Sequence, residues 1–422
     1  MAQPGPSVAF VTYNGLLDPL GPSQILPYVE RLARDRTMHV LSFERRDRLR
    51  DRAARDRLAA RLREQGIGWQ RLTYHKRPGL LAKAWDLARG VIALRGIVSG
   101  ENVGLVHARG YMPMEIAMRA IGHRPILFDI RGLQGEEYVD GGIWSPRDLR
   151  YLLLKRSERS FFARADAAIV LTHAIAPYVR ERFAVLGREV PVRVIPSCVD
   201  TARFRRDEEG RRRVRGILGA GPGSVLFVYA GSLGTWYMAD EMASFVRAFR
   251  DRTGRAVRLL WLVNNEPRLA AAASSAAGLD PSEVHVRSVA PDEVPAHLSA
   301  ADVGLALVRP TFSKKSSSPT KYAEYLAVGL PVVLSSGVGD SDEIARRGGG
   351  VALTFPSRDG ALSARVDEVA ALVERPREQY RNIAIDLFDV DRVAIPEYRA
   401  LYEELLRIHE TGMVGRRRDT DG

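Results

Sequence analysis

The sequence predicts an α/β protein made of two doubly wound domains, and three observations lead to this prediction. The chain has 422 residues, which is long for a single hydrophobic core. Hydrophobic residues make up 45% of it, enough to fill a core in each half. Short runs rich in β-branched residues alternate with helical stretches in both halves, a pattern typical of parallel sheets covered by helices.

The predicted strands fall into two groups. In the first half they are Val8–Thr12, Met38–Phe43, Leu105–His107, Ile126–Asp129, Ala168–Leu171 and Val192–Ile195. In the second half they are Val225–Tyr229, Leu259–Val263, Val284–Val286, Val303–Leu307 and Val332–Leu334. We therefore predict a first domain over residues 1–198 and a second over 199–385. C-terminal helices over 386–422 are expected to pack back toward the first domain and to end in a disordered tail.

Polar residues and glycines follow several of these strands. Ligands of doubly wound domains bind beyond the carboxyl ends of the strands, so these positions are candidates for a site. In the first half they are Asn14, Gly15, Gly21, Ser23, Gln24, His107, Arg109, Asp129 and Arg131. In the second half they are Gly231, Ser232, Gly234 and Asn264, and the glycines there would let the backbone approach a phosphate.

The segment SSSPTKYAEYLAVGLPVV, residues 316–333, predicts a helix followed by a buried strand. Ser318 suits the N-cap, Pro319 suits the first turn, and Gly329 ends a helix of about ten residues. The apolar run after Gly329 is typical of a strand in a parallel sheet.

The start of this helix has the properties of an anion site. The backbone N–H groups of Thr320 and Lys321 and the positive end of the helix dipole favour a pyrophosphate. Glu324, one turn further on, could accept hydrogen bonds from a ribose diol. The alternative is a capped surface helix with an exposed lysine and glutamate.

Lysine is rare in this chain except near that helix. Of 63 basic residues only six are lysines, and Lys314, Lys315 and Lys321 lie within eight positions. A compact ammonium fits a crowded phosphate pocket better than a guanidinium does. A solvated run of charge is the alternative interpretation.

The basic excess lies in the N-terminal half. Residues 1–198 carry 32 basic and 20 acidic side chains, a net charge of +12, whereas residues 199–422 carry 31 of each. Such asymmetry indicates an anionic partner, and a membrane with acidic lipids is favoured over nucleic acid because no nucleic-acid-binding signature is present. Much of the excess comes from residues 45–63, where Arg alternates with Asp, so a solvated helix explains it equally well.

The cysteine, histidine and aspartate residues allow predictions about the cellular compartment and about metal binding. Cys198 is the only cysteine, so a cytoplasmic location is expected, peripheral on the inner face of the membrane if the basic half binds lipid. The N-terminus lacks the features of a signal peptide, and no apolar run reaches the ~20 residues that span a bilayer. We predict no metal and no cofactor, because the eight histidines have no ligand spacing and the triplets Asp340–Asp342 and Asp389–Asp391 follow no strand of a nucleotide-binding first domain.

Four motifs resemble those of the retaining glycosyltransferases of family 4, and together they extend over most of the chain. The motifs are GPSQILPYVERLA at 21–33, VIPSCVDTARF at 194–204, VRSVAPDEVPAHLSAADVGLAL at 286–307 and SPTKYAEYLAVGLPVV at 318–333. The resemblance implies the GT-B fold, in which two Rossmann-like domains face each other across a cleft. It also implies transfer of a sugar, with retained anomeric configuration, from a nucleotide-diphosphate sugar to a glycan, lipid-linked or small-molecule acceptor.

The resemblance assigns roles to the candidates. It places Glu324 on the donor ribose, Ser318, Thr320 and Lys321 on the diphosphate, and Val289 and Ala290 beside the base. The other donor-side residues would be Gly231, Ser232, Gly234 and Asn264, and the acceptor-side residues Asn14, Gly15, Gly21, Ser23 and Gln24. The catalytic candidates are His107, Arg109, Asp129, Arg131 and Lys321.

The chain departs from the family pattern in two places. Ser316 stands eight residues before Glu324, where family members commonly have a second carboxylate. Ser232 and Tyr237 stand where many have an arginine and a lysine, so the departing diphosphate must be neutralised by Lys321, Arg131, Lys314, Lys315 or Arg309. These changes leave open an epimerase, a pseudo-glycosyltransferase or a catalytically silent donor-binding subunit, although Lys321 together with Glu324 argues against the silent subunit.

Overall fold

The structure, a computed structural model, describes residues 5–77, 79–355 and 361–410. They form two compact units. Unit 1 contains the described residues up to Val139, then Trp144–Ile195 and those from Val393 onward. Unit 2 contains Asp140–Ile143 and Pro196–Arg392. The disordered tail predicted at the C-terminus lies outside the described residues.

Unit 1 is built on a seven-stranded parallel sheet with the order β3-β2-β1-β4-β5-β6-β7. Its strands are β1 (Ser7–Thr12), β2 (Met38–Glu44), β3 (Ile67–Thr73), β4 (Val103–Arg109), β5 (Ile126–Asp129), β6 (Ala167–Val170) and β7 (Val192–Val194). The strand order reverses between β1 and β4, and such a switch point is where ligands of doubly wound sheets bind.

The helices of unit 1 connect these strands, and one returns from the end of the chain. They are α1 (Leu20–Gln24), α2 (Leu26–Leu32), α3 (Arg46–Arg50), α4 (Arg52–Glu64), α5 (Gly79–Gly100), α6 (Tyr111–Ala120), α7 (Gln134–Asp140), α8 (Leu149–Arg164) and α9 (Ala176–Ala184). The C-terminal helix, Ile395–Glu410, belongs to the same unit and packs against α2 and β4.

Unit 2 is built on a six-stranded parallel sheet with the order β10-β9-β8-β11-β12-β13. Its strands are β8 (Val225–Ala230), β9 (Val257–Leu262), β10 (Val284–Arg287), β11 (Val303–Ala306), β12 (Val332–Ser335) and β13 (Gly350–Leu353). Its helices are α10 (Glu208–Ile217), α11 (Ala239–Thr253), α12 (Pro267–Ala276), α13 (Val294–Ala300), α14 (Thr320–Ala327), α15 (Ser341–Arg346), α16 (Ala361–Val373) and α17 (Arg377–Phe388).

The two Rossmann-like sheets confirm the predicted fold class. Every predicted strand overlaps an observed one, but β3 and β13 were missed. In β3, IGWQRLT, polar residues and a glycine interrupt the apolar positions, and five of its seven residues are at least partly exposed. In β13, GVAL, the apolar run after the glycine has only three residues, although the strand is largely buried. The weak signal therefore has a different cause in each strand.

Helix α14 differs in detail from the prediction. It has eight residues rather than about ten, and its N-cap is Pro319, without a side-chain cap. The prediction that Ser318 is the N-cap is therefore wrong. Its hydroxyl oxygen instead accepts a hydrogen bond from the backbone N–H of Ser197 at 3.1 Å. Gly329 ends the helix as predicted, with a φ of +84° that favours glycine.

Candidate functional site

The glycine turn after β8 lies directly against the side chain of Lys321. Gly231 has a φ of +135°, and a Cβ at this position would lie 3.2 Å from Nζ of Lys321. The next residues of the turn are fixed by Asn265, whose side chain both accepts from the N–H of Leu233 and donates to its carbonyl oxygen. Gly231 thus lets the backbone approach the lysine.

Lys321 is buried in an aromatic surrounding at the start of α14. Its Nζ donates to the hydroxyl of Tyr229 at 3.1 Å and lies 4.2 Å from the ring centre of Tyr229 and 3.6 Å from that of Tyr237. Among the described residues no carboxylate forms an ion pair with it. Burial lowers the pKa of Lys321 to about 7, although Glu324 acts in the opposite direction.

Glu324 lies one turn further along the same helix and is partly buried. Burial raises its pKa to about 7, against the opposing influence of Lys321 and Arg203. Within the described ranges no group donates a hydrogen bond to its carboxylate. Lys321 and Glu324 thus both lose hydration without gaining a close partner of opposite charge.

The remaining donor-side candidates lie at the carboxyl ends of four neighbouring strands of unit 2. Asn264 follows β9, Val289 and Ala290 follow β10, the Gly231 turn follows β8, and α14 begins after β11. The hydroxyl of Ser288 donates to Oδ1 of Asn264 at 2.6 Å, which ties the ends of β9 and β10 together. The order β10-β9-β8-β11 thus gathers at one edge residues that are far apart in sequence.

Ser316 occupies the place where the family pattern has a second carboxylate. Its side chain is buried, and its hydroxyl donates to the carbonyl oxygen of Ser313 at 2.5 Å. Nearby, Nζ of Lys314 lies 4.0 Å from the ring centre of Trp236, whereas Lys315 is exposed. Of the three clustered lysines, Lys321 is the one that lies against the glycine turn.

In unit 1 the structure brings three of the candidates, His107, Arg109 and Arg131, together around the fourth, Asp129. Arg109 belongs to β4 itself and not, as predicted, to the loop after it, because this strand continues to Arg109. His107, the last residue of the predicted strand, also lies within β4. Nε2 of His107 lies 3.3 Å, Nη1 of Arg131 3.5 Å and Nε of Arg109 3.9 Å from the carboxylate of Asp129. Burial alone would raise the pKa of Asp129, but Arg131, His107 and Arg109 together lower it to about 2.

His107 is fully buried beneath this carboxylate. Its second ring nitrogen, Nδ1, lies 2.6 Å from the hydroxyl of Tyr402, and Tyr398 stacks on the ring at 5.6 Å between centroids. Both ring nitrogens therefore have partners inside unit 1. Burial lowers the pKa of His107, which favours the neutral imidazole.

The acceptor-side candidates divide into two kinds. Gln24 joins the charged cluster, because its side-chain oxygen accepts from Nη2 of Arg131 at 3.3 Å. Gly15 and Gly21 shape the loop after β1, where a Cβ would lie 2.4 Å from a carboxylate oxygen of Glu44 and 2.0 Å from the carbonyl oxygen of Leu16, respectively. The hydroxyl of Ser23 donates to the carbonyl oxygen of Pro19, the N-cap residue of α1, at 3.3 Å.

A cleft of about 620 Å³ in unit 1 adjoins the charged cluster. Asn14, Arg109 and Arg131 line it, together with side chains from α5, α6 and α8. It lies at the switch point between β1 and β4, where a ligand site is expected.

Solved structures resemble this chain over nearly its whole length. Sucrose-phosphate synthase from Thermosynechococcus elongatus has 15% sequence identity and a TM-score of 0.69, with 95% of this chain and 99% of that chain covered. HepE of Anabaena, in complex with UDP and glucose, has 15% identity and a TM-score of 0.64, with 94% and 99% covered. WaaG, a glycosyltransferase involved in lipopolysaccharide biosynthesis, has 16% identity and a TM-score of 0.63, with 93% and 98% covered.

Two family models match the sequence, one in each unit. Residues 28–203 match Glycosyltransferase Family 4, and residues 224–375 match Glycosyl transferases group 1. The chain is a GT-B glycosyltransferase. No curated protein sequence matches it.

Two aromatic residues of this glycosyltransferase escaped the sequence prediction. Tyr229 is the fifth residue of β8, and Tyr237 follows the glycine turn; both face Nζ of Lys321. Tyr237 was noted only as a departure from the family pattern. The sequence signal was a tyrosine two positions before a glycine turn, which becomes informative only once β8 and β11 are known to be neighbours.

Neither a metal site nor a membrane-spanning helix is found in the part of the glycosyltransferase that the structure describes. Within residues 5–77, 79–355 and 361–410, no three His, Cys, Asp or Glu side chains are grouped so as to hold a metal ion. Asp389 of the second Asp-x-Asp triplet instead accepts hydrogen bonds from the backbone N–H groups of Asp391 and Arg392. None of the described helices combines the length and the apolar character needed to cross a bilayer.

Proposed function

We propose that this glycosyltransferase takes its sugar from a nucleotide-diphosphate sugar bound by unit 2, with the diphosphate against Lys321. One observation carries the proposal, which is the buried Lys321 ammonium beside Gly231 without a carboxylate partner among the described residues. An anion at this place would gain both the lysine charge and the free N–H groups that begin α14.

The residues at the carboxyl ends of the unit 2 strands suggest where the ribose and the base of the donor bind. Glu324 accepts hydrogen bonds from the ribose hydroxyls, and the base lies at the ends of β9 and β10 beside Asn264, Val289 and Ala290. Ser318, Thr320, Ser232 and Gly234 border the diphosphate. HepE of Anabaena binds UDP and UDP-glucose, which makes a uridine diphosphate sugar the first candidate.

We further propose a retaining reaction that needs no metal ion. Charge develops on the departing diphosphate, and a buried ammonium that is already in place stabilises it without rearrangement. The diphosphate in turn keeps Lys321 protonated, because a neighbouring anion raises a lysine pKa. EDTA should leave turnover unchanged, and nuclear magnetic resonance of the product should show the anomeric configuration of the donor.

In unit 1 we assign the cleft to the acceptor, which is a glycan, a lipid-linked intermediate or a small molecule. Arg109, Arg131 and Asn14 line it and contact the polar end of the acceptor. Asp129 and His107 act as positioning residues, since Asp129 holds both arginines and His107 holds Asp129. We place the protein in the cytoplasm, in keeping with its single, buried Cys198.

A thermal-shift screen tests the donor site. The protein is screened with UDP-, GDP-, ADP-, dTDP- and CMP-sugars beside Glu324→Ala and, as a control, Glu378→Ala on the exposed face of α17. We expect one nucleotide series to stabilise the wild type and the control but not Glu324→Ala. If every series leaves the folded wild type unchanged, the proposed donor site is wrong.

A further inference from the structure

The water-facing side of α5 is apolar and basic. Leu81, Trp85 and Ile92 are between 58% and 72% exposed, and their spacing of four and seven residues places them on one helix face. The other exposed side chains of α5 that the structure describes are alanines, Ser99 and the cations Lys83 and Arg95.

The acidic residue of α5 points inward. Asp86 is fully buried, where it accepts from the hydroxyl of Tyr13 and from the backbone N–H of His75, each at 2.9 Å. The exposed face of this 22-residue helix therefore carries apolar groups and Arg95 without an acidic residue, whereas Lys83, two residues from both Leu81 and Trp85, lies on the side that lines the cleft.

Helix α8 shows the same arrangement. Leu149, Leu152 and Leu153 are between 52% and 67% exposed on one face. Arg150, Arg156 and Arg159 are exposed beside them, although Arg150 pairs with Asp148 at the N-cap. The acidic residue of α8, Glu158, is buried and bonded to Tyr111 and Lys155.

These two helices border the same cleft. Lys83 and Leu87 of α5 and Leu154 and Phe161 of α8 line the cleft that the acceptor site occupies. Helix α6 packs against both α5 and α8 and lies between them. The two helices thus stand on either side of one opening in unit 1, and exposed apolar side chains beside a cleft are typical of an interaction site.

We propose that the exposed faces of α5 and α8 dock unit 1 on a bilayer containing anionic lipids. Apolar side chains of this kind enter the boundary between headgroups and acyl chains, while Lys and Arg side chains remain with the acidic headgroups. Asp148 pairs with Arg150 at the N-cap of α8, and the other exposed charges of these two faces, Arg95, Arg156 and Arg159, are all positive. This excess of one sign favours anionic headgroups over a protein partner, which usually meets charges of both signs. No described helix spans a bilayer, so the contact lies in the plane of the interface.

The charge-rich helix that the sequence singled out does not contribute to this surface. On α4 acidic and basic side chains are interleaved, with Arg55 paired to Asp56 and Arg61 paired to Glu30. No large apolar side chain of α4 is exposed. It has the character of a solvated helix.

Docking through α5 and α8 brings the acceptor cleft to the lipid headgroups. The acceptor is then an amphiphile presented at the membrane surface, which narrows the three acceptor classes to one. This step rests on the proposed function, whereas docking itself does not.

Vesicle flotation tests the docking surface. The full chain is floated with phosphatidylglycerol–phosphatidylcholine vesicles and with phosphatidylcholine alone, beside the variant Leu81→Ser/Trp85→Ser/Ile92→Ser. The control, Ile217→Ser/Leu269→Ser, removes two half-exposed apolar residues of unit 2. We expect wild type and control to float with the anionic vesicles only, and the triple variant to lose at least about tenfold in bound fraction, since binding scales with the apolar area inserted.

A second readout does not depend on the triple variant folding. Trp85 fluorescence should shift to the blue when anionic vesicles are added, and the shift should be smaller in Trp85→Phe and at high salt. UDP binding, measured on the same samples, reports the donor site separately, so a failed donor site leaves the flotation result interpretable. Equal flotation of the triple variant, no flotation of the wild type, or a dimer that the triple variant dissociates would each overturn the proposal.

Discussion

The two units bury charged residues at corresponding places, the carboxyl edges of their sheets, but treat them in opposite ways. Asp129 in unit 1 is surrounded by His107, Arg109 and Arg131, and these partners hold its pKa at about 2. In unit 2 burial brings the pKa values of Lys321 and Glu324 to about 7, so both are close to losing their charge.

The charge of Asp129 is already balanced by partners within the protein, whereas the charges of Lys321 and Glu324 would be stabilised by a bound ligand. A buried charge with close partners stabilises the fold only as long as the partners remain. A buried charge without them costs stability, and an anion or a hydroxyl donor offsets that cost on binding. We therefore expect unit 1 substitutions to affect stability first and unit 2 substitutions to affect donor use first.

The largest expected effect is on the stability of unit 1. Asp129→Asn leaves the buried Arg109 and Arg131 without their counter-charge, and we expect a loss of about 3 kcal/mol or more in the free energy of unfolding. Urea denaturation measures it. Asp47→Asn, which removes an exposed partner of Arg45, is the control and should leave the stability nearly unchanged, because water screens a surface ion pair. Equal losses in both variants would contradict the comparison.

The same carboxylate predicts a pH dependence. The folded-state pKa of Asp129 is depressed, so its contribution is complete above the unfolded value of about 4 and is lost as the pH falls toward 2. Wild-type stability should therefore fall more steeply than that of Asp129→Asn over this window. Parallel curves for the two proteins would show that Asp129 has no such role.

The next effect is on turnover. Lys321→Ala removes the charge that meets the diphosphate, and we expect turnover to fall at least ~100-fold, the usual result of deleting one fixed charge stabiliser. Lys76→Ala, an exposed lysine of unit 1 outside the cleft lining, is the control and should leave turnover unchanged. Both variants should unfold at nearly the wild-type urea concentration. Near-normal turnover in Lys321→Ala would move the role to another cation.

A smaller effect concerns pH and donor affinity. Protonated Lys321 is needed for the diphosphate and is lost above pH ~7, while ionised Glu324 is needed for the ribose and is lost below it. UDP affinity should thus peak near neutral pH and fall by up to about tenfold per pH unit on either side. In Glu324→Gln the acidic side should flatten and the alkaline side should persist. A wild-type affinity that is flat from pH 5 to 9 would contradict this assignment.

The sequence predicted more of the proposed donor site than of the side chains that surround it. Lys321 and Glu324 belong to one short helix, so their spacing alone places them together. Tyr229 and Tyr237 could not be predicted because they reach the lysine through the pairing of β8 with β11, which joins segments some 75 residues apart. Strand β3 was missed because polar residues on its exposed positions interrupt the apolar run, and β13 was missed because its apolar run is only three residues long.

The exposed apolar faces of α5 and α8 could not be predicted from the sequence either. Leu81, Trp85 and Ile92 look like core residues, and so do other apolar residues of this long helix such as Leu94. Only the packing of the helix against β2 and α6 decides which apolar residues are buried. The net charge indicated an anionic partner but pointed to α4, where Arg55 and Arg61 are ion-paired and no large apolar side chain is exposed.

The most direct test of the account is the proton balance of UDP binding. Isothermal titration calorimetry at pH 8, in two buffers of different ionisation enthalpy, gives the number of protons taken up. With a pKa of about 7 in the free protein, Lys321 should take up close to one proton when the diphosphate binds. Lys321→Arg, whose guanidinium is already charged at this pH, should bind UDP without that uptake. The same uptake in wild type and Lys321→Arg, or no UDP binding by the folded wild type, would contradict the account.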